Sequence, residues 1–430
     1  MIILIHFAVY RHKKRRLNGS ILCVLNIKDN NIKNVSVNDS KIKSHGALKR
    51  IKVVRAELSY NLNRCPQCGE NTLVKNGKRT TNARLASFNG VEYHLILKKQ
   101  RFMCKNCGST CGAHSDLLIK NHTMTKQVIS RIFSMAKESF TLSSMAKLLG
   151  ISTSTVSRIL YDNTHLPSRC AYLPENLCFD EFRSVQHLFT FIAIDAKTHH
   201  LIDLVHDRLS KTLTEHFLNK YSLKERKAVK TVSIDLNANY QLVVHKVFPN
   251  ARIIVDRFHI VQLCSRALDQ VRIQTLKKID DKKSRQYKAL KKDWRLFHLP
   301  WADVDATNIK YIFGINEYST IQNVIDLGTD QSPVFKQTYE TYQLIESSIK
   351  DHNPNLLRET IRNYKKNNTA MDTSISTLRK NLKYVSNSCL LPYSNGPLEG
   401  TIGKIKKLKH NSYGFRNLDH LLKRIRLICA

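Results

Sequence analysis

The first residues in this chain that could do chemistry are acidic side chains placed after short apolar runs. Val232 to Ile234 delivers Asp235, and a second β-branched run, Ala251 to Val255, delivers Asp256, with His259 three residues later. Leu177 to Phe179 delivers Asp180, and Glu399 stands two residues after Pro397 in Tyr393-Ser-Asn-Gly-Pro-Leu-Glu-Gly. Carboxylates at strand ends can gather hard divalent cations. They also serve as helix caps and turn residues, and Glu399 reads equally as a first-turn acid favoured by the helix dipole. A second group is sulfur: Cys65-Pro-Gln-Cys68-Gly and Cys104-Lys-Asn-Cys107-Gly. Each pair sets two thiolates on a tight turn, and two such turns make a tetrahedral cage for structural Zn²⁺. A redox dithiol is the alternative, and the doubling argues against it. Cys111 is close enough to compete as a ligand, and the spacing leaves that open.

The elements that must position the carboxylates form an α/β pattern. Three strands, Leu177 to Phe179, Phe189 to Ile194 and Leu201 to Val205, precede a helix from Leu213 to Tyr221. A fourth strand ending at Asp235, an amphipathic helix from Tyr240 to Phe248 and a fifth strand ending at Asp256 follow. This is the element order of a ribonuclease H-like fold. In such a fold the first and fourth strands are neighbours, so Asp180 and Asp235 are expected to converge and hold divalent metal. From Leu263 to about Asn387 the chain is Lys-rich and helix-compatible, with breaks expected at Gly328, Asn353-Pro354 and Asn367-Asn368. This reads as a mostly helical insertion. Pro397 at a helix start makes the following basic residues helical, and Lys404, Lys406, Lys407 and Lys409 then suit a phosphodiester backbone.

Upstream lies a zinc ribbon with strand-like runs at Glu92 to Lys98 and Arg101 to Met103; Lys98, Lys99, Arg101 and Lys105 make it basic. A helical pattern then runs from Thr125 to Tyr161. Met145, Leu148 and Leu149 mark the buried face of one helix, Gly150 the turn, Ser152 a cap, and Val156, Ile159 and Leu160 the buried face of the next. This is a helix-turn-helix arrangement, offering Thr153, Ser154, Ser157 and Arg158 to a major groove; an ordinary helical hairpin is the alternative. The expected division is 1–60, a partly disordered lead-in; 61–118, the zinc ribbon; and 119–166, the helix-turn-helix. A break at Pro167 to Pro174 leads to 175–265, the first part of the core, then 266–388, the insertion, and 389–430, the last part of the core.

Bulk properties narrow the partners. The 430 residues carry 70 Lys plus Arg against 34 Asp plus Glu, a net charge of +36, which calls for a polyanion such as nucleic acid. A membrane partner is disfavoured, because no run of 18 apolar residues exists. The apolar start MIILIHFAVY is followed, not preceded, by the basic cluster Arg11 to Arg16, the wrong order for a secretory signal, and reads as unstructured or misassigned. Eleven cysteines, four of them in the two pairs, suit a reducing compartment and metal binding.

Taken together, the cysteine knuckles, the helix-turn-helix, Phe179-Asp-Glu-Phe182, Ile234-Asp-Leu-Asn-Ala-Asn-Tyr240, Asp256-Arg-Phe-His-Ile-Val-Gln262, Ser394-Asn-Gly-Pro-Leu-Glu-Gly400 and Tyr413-Gly-Phe-Arg-Asn-Leu-Asp-His420 occur in one order. That order resembles bacterial insertion-sequence transposases of the ISL-three family, from about Leu22 to the C-terminus. The resemblance implies a DDE transposase with catalytic Asp180, Asp235 and Glu399 on Mg²⁺ or Mn²⁺, and Asp256 and His259 as supporting residues. It departs from the family after Glu399-Gly400, where members usually carry Asn and this chain has Thr401-Ile402-Gly403. The implied reaction is nicking at the element's ends to free a 3′ hydroxyl, which then attacks target DNA, with two ions about 4 Å apart. Implied partners are double-stranded DNA, both terminal inverted repeats and target, and a second copy in a homodimer or larger synaptic complex. The implied location is the bacterial cytoplasm, on the nucleoid. The rival reading is a catalytically inactive or repurposed DNA-binding regulator, and a third is a general ribonuclease H-like nuclease.

Overall fold

Successive strand side chains face opposite ways, so Leu95 and Leu97, two apart, share the buried face of the first sheet. The computed structural model describes residues 22–429 except 24, 45–46, 88–89, 119–122 and 163–171. The apolar first ten residues, the Arg11 to Arg16 cluster and most of the Pro167 to Pro174 break therefore lie outside the described residues. The chain divides into two compact units, one comprising 1–166, 408–415 and 423–428, the other 167–407, 416–422 and 429–430.

In the first unit, β1 (Ile32–Ser44), β2 (Ala47–Leu58), β3 (Leu73–Arg84), β4 (Glu92–Cys104) and β5 (Thr110–Gly112) form one sheet in the order β1-β2-β4-β3, with β5 on β4. β2 and β4 run parallel, so Val54 pairs with Leu95 and Ala56 with Leu97, all four buried. Of the lead-in expected at 1–60, residues 32–44 and 47–58 form strands instead, and residues 1–21 lie outside the described residues. β1 is a thirteen-residue strand laddered antiparallel to β2, and Leu25, Ile27, Ile32 and Val35 join the sheet's core. The isolated Val and Ile of that polar stretch are sufficient because β2 supplies the rest of the apolar face.

Three helices complete this unit: α1 (Lys126–Lys137), α2 (Leu142–Leu149) and α3 (Thr153–Asp162). α2 is capped by Thr141, whose hydroxyl accepts the Ser144 amide, and ends on Gly150 at φ 64°. Ser152 Oγ accepts the Thr155 amide at 3.2 Å and caps α3. Val156, Ile159 and Leu160 are buried as expected. Leu148 is not: it is 53% exposed, and Ala146 takes the place beside Met145 and Leu149.

The second unit begins with β6 (Asn176–Arg183), β7 (Phe189–Asp195), β8 (Leu201–Val205), α4 (Ser210–Lys220), α5 (Leu223–Ala228), β9 (Thr231–Ile234), α6 (Ala238–Val247) and β10 (Arg252–Val255). The sheet order is β10-β9-β6-β7-β8, with β6, β9 and β10 parallel and β7 and β8 antiparallel. One face buries Phe179, Phe191, Phe217, Tyr240 and Phe248 against α4 and α6. The first strand does not stop at Asp180, because β7 continues the ladder to Arg183 after β9 has run out.

α7 (Arg257–Lys277), α8 (Arg285–Lys292), a hairpin of β11 (Lys310–Ile312) and β12 (Glu317–Ser319), then α9 (Ile321–Thr329), α10 (Pro333–Lys350), α11 (Pro354–Asn363), α12 (Ala370–Lys380) and α13 (Leu382–Leu390) follow. Asn353 caps α11 and Asn367-Asn368 lies before α12, as expected. The break expected at Gly328 comes two residues later, at 330–332 between α9 and α10. Gly328 itself is in the last turn of α9, where a Cβ would fall 2.4 Å from the Phe297 ring, so glycine there allows close packing. α13 covers the edge strand: Asn387 Nδ2 donates to Ile253 O at 2.7 Å and Ser388 Oγ donates to Val255 O. The chain ends with α14 (Gly396–Asn411) and α15 (Leu418–Ile428).

Candidate functional site

Register brings three acids to one level of the second sheet. Cys178 pairs with Ser233 across β6 and β9, so two residues further on Asp180 comes level with Asp235. Val255 pairs with Ile234, so Asp256 is level with Asp235 on the other side. Neighbouring strands are about 4.8 Å apart, which makes close approach of the carboxylates a property of the backbone. Glu399 arrives from far along the chain, and Asn395 fixes where. This residue is 1% exposed; its amide donates to Asp256 Oδ1 at 3.1 Å and its Nδ2 to Phe179 O at 3.0 Å. Cys178 Sγ, 3.3 Å from Ser394 O, adds a further stitch. The first turn of α14 is thereby tied to both β6 and the start of α7.

Asp256, His259 and Glu399 each present a ligand atom, all within 4.8 Å of one another. His259 also faces Asp180 and Asp235, and lines with Asp235, Gln262 and Arg266 a cleft of about 340 Å³. The capping alternative fails for Asp256, which makes no side-chain cap bond to α7. One of its oxygens is buried without a partner. Asp235 does fill a turn role, accepting the Asn237 amide at 3.0 Å, but this occupies a single oxygen. Burial pushes the Asp180 carboxyl up to about 6, opposed by the Glu181 amide and reinforced by the charge of Asp235. Burial likewise raises Asp235, with the Asn237 amide opposing. Crowded acids of this kind, one with an orphaned buried oxygen, fit a site that expects cations. Glu181 is excluded as a free ligand, because Arg208 Nη1 at 2.5 Å and the Tyr240 hydroxyl hold it. Sequence reading assigned no role to Asn395, Arg208 or Tyr240; only the Ser-Asn-Gly-Pro turn gave a signal, for the first.

The four expected cysteines form one cluster. Cys65 and Cys107 sulfurs are 3.7 Å apart and those of Cys68 and Cys104 3.6 Å, near the ligand–ligand edge of about 3.8 Å in a tetrahedral zinc–thiolate site. Gly69 and Gly108, at φ 79° and 68°, close the two knuckles by donating to Cys65 O and Cys104 O. The Ser109 hydroxyl, with neighbouring backbone amides, draws the Cys65 thiol down to about 6, while Cys68, against the Glu70 amide, is pushed up to about 11 by burial and by the three neighbouring sulfurs, the opposition expected of four thiols packed together. Cys111 lies outside the cluster, and burial raises its pKa. The residues fit zinc.

At the start of α3, Thr153, Ser154 and Arg158 are exposed and Ser157 is half-buried. On α14, Lys404, Lys406 and Lys407 are exposed and Lys409 is partly buried, while Ile405 and Leu408 face inward. Among the described residues no helix is long and apolar enough to cross a membrane.

Two family models match the chain. The model of the ISL3 family, described as transposase, matches residues 177–425. A second, described as the zinc-finger of transposase IS204/IS1001/IS1096/IS1165, matches residues 62–107. The transposase for insertion sequence element IS1001 of Bordetella parapertussis is 21% identical over 382 residues, 84% of this chain and 87% of that protein. An ATP-dependent protease of Lactococcus lactis subsp. lactis is 31% identical over 106 residues, 25% of this chain, and the match spans only 34% of that protein's length. Among solved structures, the Drosophila P element transposase strand transfer complex aligns at 11% identity and a TM-score of 0.35, over 76% of this chain and 94% of that one.

Proposed function

The chain belongs to the ISL3 family of transposases, and from that premise we propose that it cuts and joins DNA at the ends of an insertion sequence, with Asp180, Asp235 and Glu399 holding divalent metal. The observation that carries this reading is the shared level of Asp180, Asp235 and Asp256 across three parallel strands, with Glu399 within ligand distance of Asp256 and His259 at the end of the turn that Asn395 ties down. The strand order, two antiparallel strands beside three parallel ones, supports a ribonuclease H-like core, and the elements from α7 to α13 its insertion.

Hard oxygen donors suit Mg²⁺ or Mn²⁺. When bound, such ions supply positive charge at the attacking and leaving oxygens of a phosphodiester. The chain's own contribution is placement. Asp180 and Asp235 offer carboxylates that can share a cation from adjacent strands, and Glu399 contributes from α14. Asp256 and His259 stand beside Glu399 and orient it or join it as ligands. Arg266, at the rim of the cleft, is placed to meet a phosphate. The cysteine ribbon and the α2-turn-α3 unit, read as a helix-turn-helix, recognise the terminal inverted repeats, with Thr153, Ser154, Ser157 and Arg158 toward the bases. Lys404, Lys406, Lys407 and Lys409 run along the backbone of the DNA. Joining two ends requires two copies.

The test is incubation of the purified protein with duplexes carrying candidate element ends and Mg²⁺, followed by mapping of the cuts. We expect metal-dependent nicking at the end, exposing a 3′ hydroxyl, and none on scrambled duplex. Binding without any cut would leave a DNA-binding regulator; cutting indifferent to end sequence would leave a general nuclease.

A further inference from the structure

The β11–β12 hairpin presents an aromatic surface that the reaction just described does not use. Tyr311 and Tyr318 are cross-strand partners with ring centroids 5.3 Å apart, and Phe313 meets Tyr311 at 5.1 Å. All three rings are exposed, Phe313 at 84% and Tyr318 at 75%. Water-facing rings on an ordered strand pair are unusual, since each forgoes a large burial gain.

The hairpin is also rigidly held. Ile312 and Ile315 are buried against Ala289 of α8 and Val324 of α9. Gly314 rests on Asp293, where a Cβ would fall 1.9 Å from the carboxylate. Arg285 of α8 pairs with Glu317 at 2.9 Å, and the Tyr311 hydroxyl donates to Asn316 Oδ1 at 2.5 Å. A platform braced in this way can receive a flat apolar ligand without paying to order itself.

Its surroundings select the ligand. In and beside α8, Lys282, Lys283, Lys291, Lys292 and Arg295 are exposed, as is Lys310 on the hairpin's first strand, and they outnumber the exposed acids Asp280, Asp281 and Asp303; Arg285 is taken up by Glu317. A second copy of this chain would bring the same cations against themselves, whereas a polyanion would neutralise them. Bases inside a duplex keep their faces covered by their neighbours. Free faces belong to unpaired nucleotides, and aromatic rings beside a basic track are the usual platform for them.

We propose that Tyr311, Phe313 and Tyr318 stack on unpaired DNA bases, while the α8 cations hold the adjoining phosphates. The proposal rests on the transposase reading and gives the helical insertion a role: holding strand that is opened near the cut.

The full-length protein should be titrated with three DNAs of equal length: an end duplex, the same duplex with a short mismatched bubble carrying 2-aminopurine, and the single strand. We expect the wild type to prefer the bubble over the closed duplex by about tenfold or more, the scale of one stacked base, with quenching of the 2-aminopurine. Phe313→Ala with Tyr318→Ala should lose preference and quenching yet keep closed-duplex affinity and thermal stability, and Phe313→Trp should keep both. A double variant that still prefers and quenches the bubble overturns the proposal, as does a wild type with no preference. So does a variant whose only change is conversion from dimer to monomer, which would assign the patch to a second copy. Closed-duplex binding and cutting, scored in the same samples, report separately on the transposase reading.

Discussion

At the scale of residues, the proposed reading makes the acid cluster a metal site whose strength is set by pH. Asp180 titrates near 6 in the fold, against about 3.9 in an unfolded chain, so the folded state holds its proton more tightly. The sign follows: without metal, its contribution to stability is greatest in acid and is lost as pH rises from about 4 through 6. Cations bind the ionised form, so metal affinity runs the other way and falls away below about pH 6. We therefore expect Mn²⁺ to raise the melting temperature at pH 7.5 and hardly at all at pH 5. Without metal, Asp180→Asn should melt above the wild type at pH 7.5, by a smaller margin at pH 5, and level with it only below about pH 4. A Mn²⁺ shift that is the same at both pH values would detach the cluster from metal binding. His259→Ala should slow cutting by about 10- to 100-fold, as loss of an orienting partner does; unchanged rates would make the imidazole a packing residue. At the cage, total zinc measured on purified protein should remain at one per chain in Cys111→Ser and fall in Cys65→Ser, which settles what spacing alone left open.

At the scale of elements, what was legible in the sequence depended on whether local pattern or distant partners decided the outcome. The strands carrying Asp235 and Asp256 and the caps at Gly150, Ser152 and Asn353 were readable, because each is fixed by a few neighbouring residues. β1 was not, because its weak apolar pattern becomes a strand only beside β2. The Tyr311–Tyr318 hairpin was hidden within a Lys-rich stretch that reads as helical. At the site, Asp180, Asp235 and Asp256 stand out in the sequence by their positions after apolar runs, whereas Asn395 does not. Its importance lies in joining Asp256 to Phe179, contacts far apart in the chain. Gly150 offers a test at this scale. An alanine there would be forced into the left-handed region, at about 1–2 kcal/mol, with its Cβ 1.3 Å from where the Glu92 carboxylate sits. We expect Gly150→Ala to melt several degrees lower, by calorimetry, and to lose end-specific binding; an unchanged melting temperature would show that the turn can relax.

For the molecule as a whole, a net charge of +36 makes DNA affinity largely a matter of phosphates. A plot of log affinity against log salt should have a slope of about −5 or steeper. Replacing Lys404, Lys406 and Lys407 with Ala should flatten it by about one per residue without changing sequence preference, whereas Arg158→Ala should erode the preference. Equal effects from both sets would remove the division between a backbone-holding helix and a reading helix. Charge, however, explains only attachment; the proposed cutting rests on acids from three distant parts of one chain sharing metal. Diffraction from crystals soaked in Mn²⁺ at pH 7.5, collected for anomalous signal, tests that most directly. We expect peaks among Asp180, Asp235 and Glu399, absent in Asp235→Ala crystals. Peaks confined to Asp256, His259 and Glu399 and unaffected by Asp235→Ala, or no peaks, would contradict it.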